Sequence, residues 1–105
     1  MIARTWRGAV RAKDGDEYLA YLHKTGLSEY TATPGNLGVL TLRRTRGDTT
    51  EFLLITLWES EKAIERFAGK DIGKAVYYPE DERYLVEHDD TVDHYEVVYQ
   101  ASQGA

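Results

Sequence analysis

The stretch Lys74–Tyr84, KAVYYPEDERY, sets three tyrosines around one proline, with Tyr77 and Tyr78 adjacent and directly before Pro79. A phenol with its ordinary pKa of about 10 stays protonated at neutral pH, and it can orient a substrate or pass a proton. It can equally fill a core with its hydroxyl at the edge, and both readings of Tyr77 stand on residue type. His94 is the second candidate. Imidazole is the best general base near neutrality, and Glu96, two residues along a strand, could tune it. A structural histidine at the sheet surface or at a dimer seam is the alternative. His23, next to Leu22, could reach a cavity from a helix or stay partly exposed. Trp6 and Trp58 could wall a dry apolar pocket that takes an electron-rich aromatic. Core packing is the plainer role, above all for Trp58.

Other chemistries find no support. The run His88–His94, HDDTVDH, gathers metal-type residues, but strand alternation splits His94 from Asp93 and the spacing matches no standard ligand pattern, so no metal is expected. There are no cysteines, which removes disulfides, thiolate metal sites and a cysteine nucleophile together. Gly15 and Gly73 stand alone without a phosphate loop, and no serine sits in a nucleophile elbow. The net charge is −5, and the short patch Arg43, Arg44, Arg46 is too small to displace the counterions of a nucleic acid. Glu80 to Glu96 holds eight of the eighteen carboxylates against one base, Arg83, and reads as a solvated loop and strand face. No stretch approaches the roughly 20 apolar residues of a membrane span, and the N-terminus lacks an apolar signal core. A cytoplasmic protein is expected.

The elements that must position these side chains follow from period and punctuation. The 105 residues suit one domain, read as 1–100, with 101–105 as a frayed tail. Residues 1–11 alternate as a strand. Asp14 and Glu17 read as a capping box before the helical stripe Tyr18, Leu19, Leu22, and Gly26 ends or kinks that helix. LGVLTLRRT and TEFLLITLWES make a hairpin across a short turn. Ser60 caps EKAIERFA, and Gly69 stops it. DIGKAVYY, from Asp71, reads as a short helix closed by Pro79. ERYLVEH is ambiguous, and TVDHYEVVYQ is a last strand. The order is β-α-β-β-α-β, a ferredoxin-like α+β arrangement with one four-stranded antiparallel sheet and helices on one face. Its third strand is apolar on both sides, with Phe52, Leu54 and Trp58 against Leu53, Ile55 and Leu57. Helices can cover only one of these faces, so a second copy of the chain is expected on the other, making a homodimer.

With that order in place, Leu57, Trp58, Ser60, Ala63 and Phe67 of LWESEKAIERF and Asp71, Lys74, Ala75 and Tyr77 of DIGKAVYY resemble the antibiotic-biosynthesis monooxygenase-type domains of the dimeric α+β barrel superfamily. The element order covers the whole chain and the motif about a fifth of it. The heme-degrading members of that superfamily carry a tryptophan near the place of Phe67, an axial histidine near Tyr77 and an asparagine near Trp6. None of the three matches here, which argues against heme oxygenation. The resemblance implies a cavity between helices and sheet, with Tyr77 on its lining. It implies oxidation of a small aromatic or polyketide-like compound without metal, flavin or other cofactor. Tyr77 and His94 would handle the proton, and Trp6, His23, Tyr30, Trp58 and Phe67 would shape the pocket. A lyase or isomerase in the same cavity, or a non-catalytic, stress-related dimer that binds a small molecule, are the alternatives.

In the short helix expected from Asp71, Tyr77 faces the cavity and Tyr78 turns to the rim or an interface, since adjacent helical residues diverge by about 100°.

Overall fold

A computed structural model describes residues 1–101, so the expected tail falls outside the described residues except for Ala101. Strand β1 (Ile2–Arg11) leads through a 3-10 turn (Ala12–Asp14) into α1 (Gly15–Lys24) and α2 (Gly26–Ala32). Then come β2 (Asn36–Arg46), β3 (Thr49–Trp58), α3 (Glu61–Ala68), the four-residue α4 (Asp81–Tyr84), β4 (Leu85–His88) and β5 (Asp93–Glu96). The sheet is antiparallel in the order β2-β3-β1-β4, and β5 also pairs with β1. β5 runs beside Ile2–Thr5 and β4 beside Gly8–Val10. The fourth position of the expected sheet is therefore filled by two short strands.

The interruption has a local cause. Between β4 and β5 the chain leaves the sheet and bonds to the segment before Tyr77. The Ala75 N–H donates to the Asp90 carbonyl at 3.0 Å, and the Val92 N–H donates to the Gly73 carbonyl at 2.9 Å. Lys74 and Thr91 form a bridge between the same two segments. From Asp71 only a single turn forms, closed by the Lys74 N–H donating to the Asp71 carbonyl at 3.2 Å, and the expected short helix does not continue from it. ERYLVEH divides into the end of α4 and β4.

Other punctuation behaves as its chemistry dictates. Ser60 has an extended backbone, and its hydroxyl accepts the Ala63 N–H at 3.2 Å. Gly69 closes α3 at φ 83°, a conformation open to glycine. The Asp14 capping box does not form. Asp14 already sits in the 3-10 turn at φ −98°, ψ 0°, whereas a side-chain N-cap needs extended backbone. A break at Thr25 separates α1 from α2.

On β3, Thr50, Phe52, Leu54, Thr56 and Trp58 are buried, while Glu51, Leu53, Ile55 and Leu57 are half-buried. The buried set meets Tyr18, Leu22, Leu27, Tyr30 and Ile64 from the helices in one core. The register places Leu40 and Leu42 of β2 directly beside Ile55 and Leu53 on the opposite face, where they are 55% and 45% exposed. That apolar face is open in the single chain.

Candidate functional site

Between the helices and the sheet lies an inner cavity. Arg4, Trp6 and Leu54 form its sheet side, and Tyr18, Leu22, Gly26 and Tyr30 come from α1 and α2. The segment before Pro79 adds Val76, Tyr77 and Tyr78, and α4 adds Asp81. The free space is about 20 Å³, room for one water. Beyond it a wider outer pocket of about 550 Å³ opens to solvent, lined by Tyr77, Tyr78, Pro79, Asp81, Glu82, Leu85 and His88. Tyr77, Tyr78 and Asp81 belong to both, so they form the partition between them.

The Tyr77 hydroxyl is the most connected atom of this partition. It accepts the Trp6 indole N–H at 3.0 Å, and it donates to the Asp89 carbonyl. His88 Nδ1 lies 3.2 Å from the same oxygen and 3.3 Å from the Asp90 carboxylate. A phenol has one proton, and the Asp89 carbonyl takes it, so His88 Nδ1 meets the phenol as an N–H donor. Burial raises the Tyr77 pKa, and the carboxylates of Asp90, Asp81 and Asp89 add to it against the opposing Trp6 bond. Tyr77 is thus a neutral phenol, a weaker acid than a free phenol and a poor base. The indole is aimed by its own strand, for its ring lies over Gly8, where a Cβ would collide with Trp6.

Asp81 fixes the partition to the helices. It is 5% exposed, and its carboxylate accepts the Tyr18 hydroxyl at 2.8 Å and the Tyr78 N–H at 2.7 Å. Burial and the Asp81 charge push the Tyr18 pKa far up, so that phenol remains a donor. The Tyr78 hydroxyl donates to Glu29 on α2 at 2.6 Å, and burial together with that carboxylate raises its pKa.

Arg4 stands on the sheet side, 2% exposed. One of its Nη atoms donates to the Lys74 carbonyl at 2.9 Å, and the guanidinium lies 5.6 Å from the centre of the Phe67 ring. Among the described residues Arg4 forms no ion pair, and its buried Nε has no hydrogen-bond partner. Burial lowers its pKa. Nearby, burial pushes the Tyr30 phenol up to about 12, with the Arg4 charge acting in the opposite sense.

The structure brings Trp6, Tyr30 and Tyr77 to the inner cavity. Tyr78 lines it too, which corrects the expectation that Tyr78 turns away. Residues 75–78 form neither helix nor strand, and both rings reach the cavity mouth. Tyr77 is the more exposed of the two, at 36%. His94 is paired in register with Arg4 on β5 and lies outside the cavity lining. Its buried Nε2 has no partner among the described residues, and burial followed by the Arg4 charge lowers its pKa. His23 is exposed on α1 and lines neither pocket. Trp58 is fully buried in the core, its indole N–H donating to the Thr56 hydroxyl at 2.8 Å. Phe67 packs on Tyr30 and Trp58 and lines a separate surface hollow.

Arg4, Asp81 and His88 are site residues that sequence reasoning missed. For Arg4 a signal existed, because it shares the alternation of Ile2, Trp6 and Val10 and so had to face inward. Among the described residues no group of three His, Asp or Glu side chains could hold a metal ion, and no helix is long and apolar enough to cross a membrane.

One antiparallel sheet with helices over one face and a pocket between them defines the ferredoxin-like α+β class. Within that class the chain belongs to the antibiotic biosynthesis monooxygenase family, whose model matches residues 1–76. Among solved structures it is similar to a point mutant of MhuD with two manganese protoporphyrin IX bound per active site, at 21% identity and TM-score 0.66, covering 98% of this chain and 100% of that one. It is also similar to MhuD from Mycobacterium tuberculosis, a heme-degrader with two hemes bound, at 20% identity and TM-score 0.64 over 97% and 100% of the two chains. An antibiotic biosynthesis monooxygenase from Bacillus cereus, itself assigned only provisionally, gives 16% identity and TM-score 0.64 over 97% of each chain. No curated protein matches the chain.

Proposed function

We propose that this monooxygenase-like chain is a homodimeric oxygenase that oxidises a small hydroxylated aromatic at the Tyr77 partition without a bound cofactor. The observation that carries this reading is the neutral Tyr77 phenol, held by the Trp6 indole between a water-sized cavity and an open pocket. The outer pocket has the volume for a small aromatic, within the usual range of ligand sites. The substrate, already ionised in solution to its enolate, supplies the electrons. Anthrone illustrates the balance: anthrone and dioxygen give anthraquinone and water, one oxygen atom entering the ring carbon and the other leaving as water. Tyr77 donates a proton to the developing peroxide, and His88 lies in contact to return one from solvent.

Heme, which the MhuD structures contain, fits this site poorly. Near the place that the resemblance gives to an axial histidine stands Tyr77, a phenol with raised pKa already engaged by Trp6 and Asp89. The inner cavity, the size of a water, has no room for a porphyrin.

The small inner volume favours one further reading, a dimer that binds a small molecule and transforms nothing. Oxygen uptake decides between them. The purified chain in a chelating buffer, given anthrone, should consume dioxygen and form anthraquinone faster than buffer, and Tyr77→Phe should remove most of that excess. Uptake no faster than buffer, in the presence of saturable binding, assigns the protein to binding alone.

A further inference from the structure

We propose that Arg4 is an anion subsite, and that the molecule taken by the Tyr77 site enters with an ionised oxygen directed at its guanidinium. The inference rests on the proposed site and names the chemical class of its ligand. A buried guanidinium is costly unless an anion offsets it. Arg4 is buried, lines the inner cavity and has no carboxylate partner among the described residues. Its local contacts compensate only in part, through one carbonyl and one aromatic face. The Nε–H is left over, a donor with no acceptor among the described residues.

The surroundings leave the charge available. Among the described residues Asp81 alone brings a carboxylate to the cavity wall, and it is engaged by Tyr18 and the Tyr78 N–H and forms no ion pair with Arg4. His94, opposite Arg4 in register, is a base and supplies no negative charge. The free space beside Arg4 matches a single oxygen atom and not a ring. The aromatic body therefore belongs in the outer pocket, with only its charged oxygen passing Tyr77 and Tyr78. A phenolate, an enolate and a carboxylate share this chemistry, and a guanidinium fork accepts each.

Two pairs of nitroaromatic probes test it on the full chain by calorimetry. 4-Nitrophenolate is compared with 4-nitroanisole, and 4-nitrobenzoate with 4-nitrobenzamide. Each pair keeps the ring and removes the charge. The expected result is tighter binding of at least one anion than of its neutral partner, by about ten-fold or more. Whether the phenolate or the carboxylate shows the larger preference tells which oxygen the site takes, and either supports Arg4. Arg4→Met should erase the preference while leaving the thermal midpoint unchanged or higher, because it removes an unpaired buried charge. A folded Arg4→Met chain that keeps the preference overturns the inference. Should that variant fail to fold, the Arg4 Nε–H resonance of the wild-type chain, assigned by its loss in Arg4→Lys, decides. It should shift with the preferred anion and stay still with the neutral partner, and an unmoved resonance overturns the proposal. Equal binding of all four probes overturns this inference alone. Binding of none overturns the proposed site with it.

Discussion

Trp6 and Tyr77, 71 residues apart in sequence, meet through a 3.0 Å hydrogen bond from indole to phenol, with their rings nearly perpendicular at 69°. The bond joins the inner face of β1 to the wall between the two pockets. Replacing Tyr77 by Phe keeps the ring and removes only the oxygen. A half-exposed hydroxyl should cost the fold about 0.5–1.5 kcal/mol. A phenol that gives a proton in the reaction should cost turnover roughly 10²-fold or more. Denaturant titration and oxygen uptake measured on the same preparation separate the two effects, and full turnover by Tyr77→Phe reduces the residue to packing.

Gly8 carries a prediction that no functional residue makes. A methyl group there would strike the Trp6 ring, so Gly8→Ala must turn the indole off its place. Overpacking of this kind costs about 1–3 kcal/mol. Tryptophan fluorescence should shift as the Trp6–Tyr77 bond is lost. A variant with wild-type emission and wild-type midpoint would mean that the indole has another place to go.

His94 ties stability to pH. Its folded pKa lies below the ordinary value of about 6.5, because burial and the Arg4 charge both disfavour the imidazolium. Between the two values the unfolded chain binds the extra proton and the folded chain does not, so stability rises with pH there. The contribution is complete above about pH 6.5 and is lost as pH falls toward the folded value. His94→Gln cannot titrate. The drop in thermal midpoint between about pH 7.5 and pH 5.5 should therefore be smaller in that variant, and an equal drop would place the acid sensitivity elsewhere.

The open sheet face predicts association. Leu40, Leu42, Leu53, Ile55 and Leu57 stand together on it without cover from the described residues. Obligate interfaces bury about 2,000 Å² or more, enough to hold at micromolar dilution. Light scattering should return twice the chain mass, and Ile55→Lys should return the chain mass, because a buried unpaired ammonium opposes the seam. A wild-type monomer at low micromolar concentration would refute it.

The fold was legible because strand alternation is a strong signal. Trp58, Leu54 and Phe52 fall on one face and Leu57, Ile55 and Leu53 on the other by period alone, and Ser60 and Gly69 punctuate α3 as their chemistry requires. The segment before Tyr77 was illegible for a physical reason. Asp71, Gly73, Lys74 and Ala75 have the local preferences of a helical turn, but the partners of Gly73, Lys74 and Ala75 are Val92, Thr91 and Asp90, far along the chain. Nothing within a local window reveals that competition. Asp81 and His88 were hidden likewise, since what marks them is contact with Tyr18 and Tyr77 across distant parts of the chain.

The pattern shared with the family stops at residue 76, one position before Tyr77. Arg4, Trp6, Tyr18, Leu22, Tyr30 and Leu54 lie within it, while Tyr77, Tyr78, Asp81 and His88 follow it. The floor of the site thus lies within the matched residues and its entrance after them. That last quarter also supplies β4, β5 and the core residues Tyr84 and Val92, so a substitution that reshapes the entrance acts on a segment that helps to hold the sheet together.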